Sequence, residues 1–145
     1  MMIRFAALLA TILLAGCGFV SFEDVSGDPK YSTYVGTEYR TTSDMTVYRV
    51  SMDRNYGPSP SIYKIVQPPG FDGREVISRT HFPEGSTLKV LTIQRCKDCY
   101  LDTEPRVHLT VRITSTSQFD DLEVQASLGL LSSHMQAIDE PVAAN

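Results

Sequence analysis

The stretch RVHLTVRIT at residues 106–114 decides the fold, because apolar and polar side chains alternate along it without a break. Its apolar residues share one face, namely Val107, Leu109, Val111 and Ile113. The charged and polar residues, His108 among them, lie on the other face. A period of two over this length is typical of an antiparallel strand with one buried face and one face in water. The chain is therefore expected to contain a half-buried sheet.

Further segments are rich in β-forming residues and are separated by turn residues. They lie at residues 45–52, 61–66, 75–80 and 87–93. Residues 121–131 alternate as well and predict a last strand, with a short helix after Asp120 or Asp121 as the alternative, because aspartate caps helices well. Short strands at intervals of about ten residues predict an all-β domain, built as a small antiparallel barrel or sandwich.

The hairpin predicted over residues 76–90 has the turn Phe82-Pro83-Glu84-Gly85-Ser86 at its tip. In this respect it is similar to the hairpin of bacterial Src-homology-3-like domains. The resemblance implies a small β-barrel. It implies nothing about activity, because a fold does not determine a function.

The first sixteen residues have one basic residue, Arg4, then an apolar run, then small residues. This is the layout of a secretory signal peptide, and the run is shorter than the roughly 20 residues that span a bilayer. It ends in Leu14-Ala15-Gly16-Cys17, which closely resembles the lipobox of bacterial lipoproteins. The resemblance implies that Cys17 is the first mature residue and carries diacylglycerol and an acyl chain, which together anchor a protein on a membrane. Gly18, in place of aspartate, favours by the same resemblance the outer membrane of a Gram-negative bacterium, with the protein facing the periplasm.

These signals divide the chain into four segments. We expect a signal peptide at residues 1–16, a lipidated N-terminus and tether at 17–33, an all-β domain at 34–131 and a flexible tail at 132–145. Phe19, Val20 and Phe22 are unusual for a free tether, and they are expected either to lie in the membrane interface or to pack on the domain. The net charge of −4 and the lack of a basic run argue against nucleic acid as a partner.

Cys96 and Cys99 are the sharpest local feature after the lipobox. Export to an oxidising compartment favours a structural disulfide, and with Cys17 acylated the two remaining cysteines pair evenly. One alternative is a thioredoxin-like redox pair, which normally begins a helix within a βαβ pattern. Another is a zinc site, which needs two more ligands. A c-type haem requires histidine directly after the second cysteine, where this chain has Tyr100.

Aromatic and proline side chains in two loops are the best indication of a binding surface. Tyr56 lies in the first loop, and Pro68, Pro69 and Phe71 lie in the second. Tyrosine offers a large contact area with a polar tip, which suits sugar or peptide ligands. The alternative is that tyrosine is here only a good strand residue.

No catalytic motif is present, and His81, His108 and His134 have no nucleophile or carboxylate at a suitable spacing. The sequence therefore predicts a protein that is not an enzyme and holds no cofactor or metal. We expect a membrane-anchored lipoprotein that acts as a protein-binding or assembly module of the cell envelope, with an envelope protein as its partner. A peptidoglycan-binding module is the alternative, and a small redox or metal protein using Cys96 and Cys99 is a further one.

Overall fold

The structure is a computed structural model, and it describes residues 21–99, 106–119 and 122–138. The predicted signal peptide and Cys17 lie outside the described residues. The described strands are, in chain order, β1 Phe22–Asp24, β2 Glu38–Thr41, β3 Met45–Ser51, β4 Ser61–Val66, β5 Val76–Phe82, β6 Thr87–Cys96, β7 Val107–Ile113, β8 Glu123–Ser127 and β9 Met135–Ala137. A 3-10 turn at Ser117–Phe119 precedes β8, and helix α1, Leu128–His134, lies between β8 and β9. In these ranges no helix is long and apolar enough to cross a membrane.

All of these strands belong to one sheet, in the order β5-β3-β4-β8-β7-β6-β2-β9, with β1 paired to the far end of β6. The all-β class is confirmed. The expected purely antiparallel sheet is wrong at one pair, because β4 and β8 run parallel, with Tyr63 opposite Val124 and Lys64 opposite Gln125. This pair joins segments far apart in the chain, and no local pattern records its direction.

The sheet curls on itself. Five strand-to-strand steps separate β3 from β2 in the sheet, yet only residues 42–44 connect them in the chain. Neighbouring strands lie about 4.8 Å apart, so a flat sheet would separate β2 from β3 by roughly 24 Å. The four Cα–Cα steps from Thr41 to Met45 span at most about 15 Å. The sheet must therefore bend, and its inner face encloses one core.

The predicted inner face of β7 is confirmed. Leu109 and Val111 are fully buried, and Ile113 is nearly so. They belong to one core cluster with apolar residues of the other strands, which include Met45, Val47, Ile65, Phe82, Leu88, Val90, Ile93 and Val124. The other predicted strands are also present, and the predicted turn at residues 82–86 joins β5 to β6. The Src-homology-3-like resemblance stays a prediction.

The C-terminal segment differs from the expected flexible tail, because its described residues are folded. Residues 123–127 form the predicted last strand, but the chain then continues into α1 and into β9, which pairs with β2. Ser127 caps α1, since its hydroxyl accepts a hydrogen bond from the amide of Leu130 at 3.1 Å. Leu131 and Met135 are buried in the core. Burial of these two side chains holds residues 132–137 in place, which composition alone does not reveal.

The segment expected to be a tether also belongs in part to the domain. Phe22 pairs with Cys96 across β1 and β6, and its ring packs edge-on against that of His108, with centroids 5.2 Å apart. Val25 and Tyr31 are buried in the core. Of the two expectations for Phe22, contact with the domain is therefore confirmed.

Candidate functional site

Cys96 and Cys99 form the predicted disulfide, with their Cα atoms 5.7 Å apart, where β6 ends. The same turn holds the start of the described chain. The amide of Lys97 donates to the carbonyl of Ser21 at 2.9 Å, and the Ser21 hydroxyl donates to the carboxylate of Asp98. The disulfide therefore constrains a turn to which the N-terminal segment is hydrogen-bonded.

A metal site at the cysteines finds no support in the described part of the chain. Nowhere within it do three or more histidine, cysteine, aspartate or glutamate side chains come together as a metal would require. His108 lies on the outer face of β7 and His134 at the end of α1.

The two loops predicted as a binding surface leave β4 from opposite ends. The β3–β4 loop, which holds Tyr56, begins where Ser51 pairs with Ser61. The β4–β5 loop begins at the other end of the hairpin, beyond the pair of Thr46 with Val66. Five residues of strand, about 16 Å, separate the two ends. The structure therefore does not bring Tyr56 together with the Pro68–Pro69 pair at the start of the second loop.

The β4–β5 loop crosses the outer face of β3 and covers Tyr48. Phe71 stacks on the Tyr48 ring, and the Arg79 guanidinium lies 5.7 Å from the centre of the same ring. Tyr48 is only 3% exposed as a result. Pro68 and Pro69 remain exposed, whereas Phe71 is half-buried. The Phe71 ring thus contributes to packing within the protein.

Tyr56 is presented on an ordered loop. It is 50% exposed and has a positive φ of 60°. The amide of Gly57 donates to the Asp53 carboxylate at 2.9 Å, and Arg49 donates to the carbonyl of Pro58 at 3.1 Å. Tyr56 is therefore available for contact, and the peptidoglycan-binding module stays a prediction.

A groove that sequence reasoning missed lies beside α1, along β4, β8 and β7. One cavity of about 510 Å³ is lined by residues that include Lys64, His108 and Ser127. A second, of about 540 Å³, shares Ser127 and Gly129 with the first and extends to Lys30 and Arg106. The outward position of His108 was visible in the alternation of residues 106–114. Its neighbours come from distant segments, so only the strand order could place them beside it.

Partial burial lowers the pKa of His108 below its ordinary value, and the nearby charges of Lys64 and Arg106 lower it further. The imidazole is therefore held in its neutral form near pH 7. A neutral imidazole retains one N–H donor.

Strand β5 forms one edge of the sheet. It is seven residues long and pairs with β3 along one side. In the described part of the chain no strand pairs with its other side. Ser78, Arg79 and His81 are exposed along it. At the opposite edge, β9 is only three residues long.

Comparisons with protein-family models, with curated proteins and with solved structures found no match to this chain. The function of the chain is therefore inferred from its own residues and their geometry.

Proposed function

We propose that this chain is a lipoprotein of the bacterial cell envelope, anchored through Cys17, that faces the periplasm and binds an envelope protein at the free edge of β5. The lipobox at residues 14–17 supports the anchor and the location. The free edge of β5 is the observation that carries the binding role. No catalytic arrangement is needed for such a module.

The physical basis is the hydrogen bonding of an edge strand. An edge presents a row of N–H and C=O groups that a partner's extended segment can pair with, which is the mode of binding called β-strand addition. β9 and β1, with three residues each, offer little length for such pairing. β5 offers seven residues and contains no proline. Of the described strands, β5 is thus the best suited to receive a partner strand.

The first experiment is crosslinking in living cells. A photoreactive residue is placed at Ser78, which is exposed on β5, and in a matched variant at Lys89, which is exposed on β6 but has β2 and β7 on its two sides. We expect a discrete protein adduct from position 78 and none from position 89. Equal adducts from both positions, or none from position 78, would contradict the proposal.

The mode of binding has its own readout. In a purified complex, hydrogen exchange should slow at alternate amides of residues 76–82, because successive N–H groups of a strand point to opposite sides. Uniform protection, or protection elsewhere only, would indicate docking by side chains.

The anchor is tested separately. Cys17→Ala should release the protein from the outer-membrane fraction, whereas Cys96→Ser with Cys99→Ser should leave it there. Retention of Cys17→Ala in that fraction would show that the lipobox assignment is wrong.

A further inference from the structure

The groove beside α1 has an unusual lining for this chain. Its two cavities have volumes of about 510 and 540 Å³, and Ser127 and Gly129 line both of them. The basic residues along it are Lys30, Lys64, Arg106, His108 and His134. Among the described residues, no aspartate or glutamate lines either cavity. The chain as a whole carries a net charge of −4, so the basic lining of this groove contrasts with the acidic character of the whole chain.

Lys64 is the central cation of this groove. It lies on the outer face of β4, opposite Gln125 of the parallel strand β8. None of the ion pairs among the described residues includes Lys64. Its side chain is half-buried, so it stands at the wall of the groove and not free in solvent. An ammonium group held in such a wall is a donor for an incoming anion.

His108 adds a donor beside this cation. On β7 it lies opposite Ser127 of β8, a residue that lines both cavities. The groups near it are Lys64 from β4, Arg106 just before its own strand, Ser127 from β8, the Phe22 ring from β1 and, along the same cavity, His134 from α1. The positive charges among them disfavour a second cation and favour an anion.

The dimensions favour an extended ligand over a single ion. Ser127 and Gly129 line both cavities, and the two together have Lys64 in the first wall and Lys30 in the second, so ammonium groups are offered in each. Leu128 and Val107, both half-buried, form an apolar part of the wall of the second cavity. A chain that alternates carboxylates with apolar and amide groups matches this lining.

We propose that this groove binds an acidic peptide segment, with one carboxylate held by Lys64 and His108. The site lies beside α1, along β4, β8 and β7, and does not use the edge of β5. It therefore goes beyond the protein-binding role proposed above, and it can be tested independently of that role.

The test uses the purified full-length lipoprotein in detergent and a fluorescent hexaglutamate peptide at low salt. We expect saturable binding of hexaglutamate, no binding of hexaglutamine, and much weaker competition by inorganic phosphate. Binding should weaken as salt is raised, because exposed charges are screened. Equal binding of hexaglutamine, or equally strong competition by phosphate, would overturn the proposal, as would an absence of binding.

Two lysines provide the matched variants. Lys64→Gln should weaken binding about tenfold, because it removes one charge-assisted hydrogen bond. Lys89→Gln, which removes an exposed lysine outside the groove, should leave affinity unchanged, and Lys64→Arg should retain most of it. Equal losses in Lys64→Gln and Lys89→Gln would show that only net charge matters and would overturn the proposal. Unchanged urea unfolding of Lys64→Gln confirms that it is folded.

An NMR measurement distinguishes direct contact of the peptide with His108 from non-specific electrostatic attraction to the protein. Bound carboxylate should raise the pKa of His108, since a nearby negative charge favours the imidazolium. An NMR titration of the His108 ring with and without hexaglutamate measures this directly. A His108 pKa that does not move when the peptide is bound would place the peptide elsewhere.

Discussion

The ring of Phe71 stacks on the ring of Tyr48, with the centroids 4.5 Å apart and the planes inclined by 22°. Phe71 belongs to the crossover between β4 and β5, and Tyr48 to the strand β3 that lies between them. The contact attaches the crossover to the outer face of the sheet. It also explains how Tyr48 is buried although it is not part of the main core.

Gly70 is required for this contact. Its φ is +71°, and a Cβ atom there would lie 2.0 Å from the hydroxyl oxygen of Tyr48. Gly70→Ala should therefore lower the free energy of unfolding by more than the roughly 1–2 kcal/mol that a left-handed φ alone costs. The control is Gly36→Ala, because Gly36 has a φ of +82° but no atom within 4 Å of the added Cβ. Equal losses in urea unfolding would show that the Tyr48 contact contributes nothing.

Leu131 tests whether the C-terminal helix belongs to the core. It is 1% exposed, so Leu131→Ala should cost about 2–5 kcal/mol of stability through lost burial and a cavity. Ser133→Ala, at an exposed position of the same helix, should change stability by less than about 0.5 kcal/mol. Thermal or urea unfolding of both variants measures the difference. A neutral Leu131→Ala would mean that α1 is not held as described.

The disulfide is expected to make a modest contribution. Cys96 and Cys99 close a very short loop, for which loop-closure entropy predicts about 2 kcal/mol. Replacing both cysteines with serine should lower the unfolding free energy by about this amount. Reduction of the native protein serves as the control and should have a similar effect. A double variant of native stability that loses its role in cells would instead support the redox alternative.

His108 should make stability dependent on pH. Its pKa in the folded protein is lowered from 6.5, first by burial and then by Lys64 and Arg106. The unfolded chain therefore binds more protons at mildly acidic pH, so this contribution is complete above the unfolded pKa and is lost as pH falls through the folded one. Urea unfolding at about pH 7.5 and 5.5 should show a smaller decrease for His108→Gln than for the native protein. Identical decreases would show that His108 is not responsible.

Much of the sheet could be predicted from the sequence because its longer strands are locally consistent. Val107 to Ile113 alternates throughout, and the segment Ser61–Val66 lies between loops rich in proline and glycine. The disulfide followed from the cysteine count and from the predicted export to an oxidising compartment. In each of these cases the deciding residues are neighbours in the chain.

The remaining features of the fold and of the site depend on contacts between residues that are far apart in the sequence. β1, β2 and β9 are three or four residues long, too short for a period to be recognised, and each exists because it completes the sheet. The parallel direction of β4 and β8 has no local signal. Ser127 is a good helix-capping residue, but the glycine after Leu128 concealed the helix that it begins. The groove was hidden for the same reason, since Lys64 of β4 and His108 of β7 line one cavity only because of the strand order.

Strand β1 also determines how the protein resists a mechanical force applied to its N-terminal segment. It starts beside the end of β6 and runs back along it, with Phe22 opposite Cys96 and Asp24 opposite Gln94. The hydrogen bonds of an antiparallel pair are perpendicular to the strands. A force that draws the chain at Ser21 away from the sheet, along the strand, therefore loads these bonds together in shear and does not open them one at a time. The ion pair of Glu23 with Arg95 shares that load.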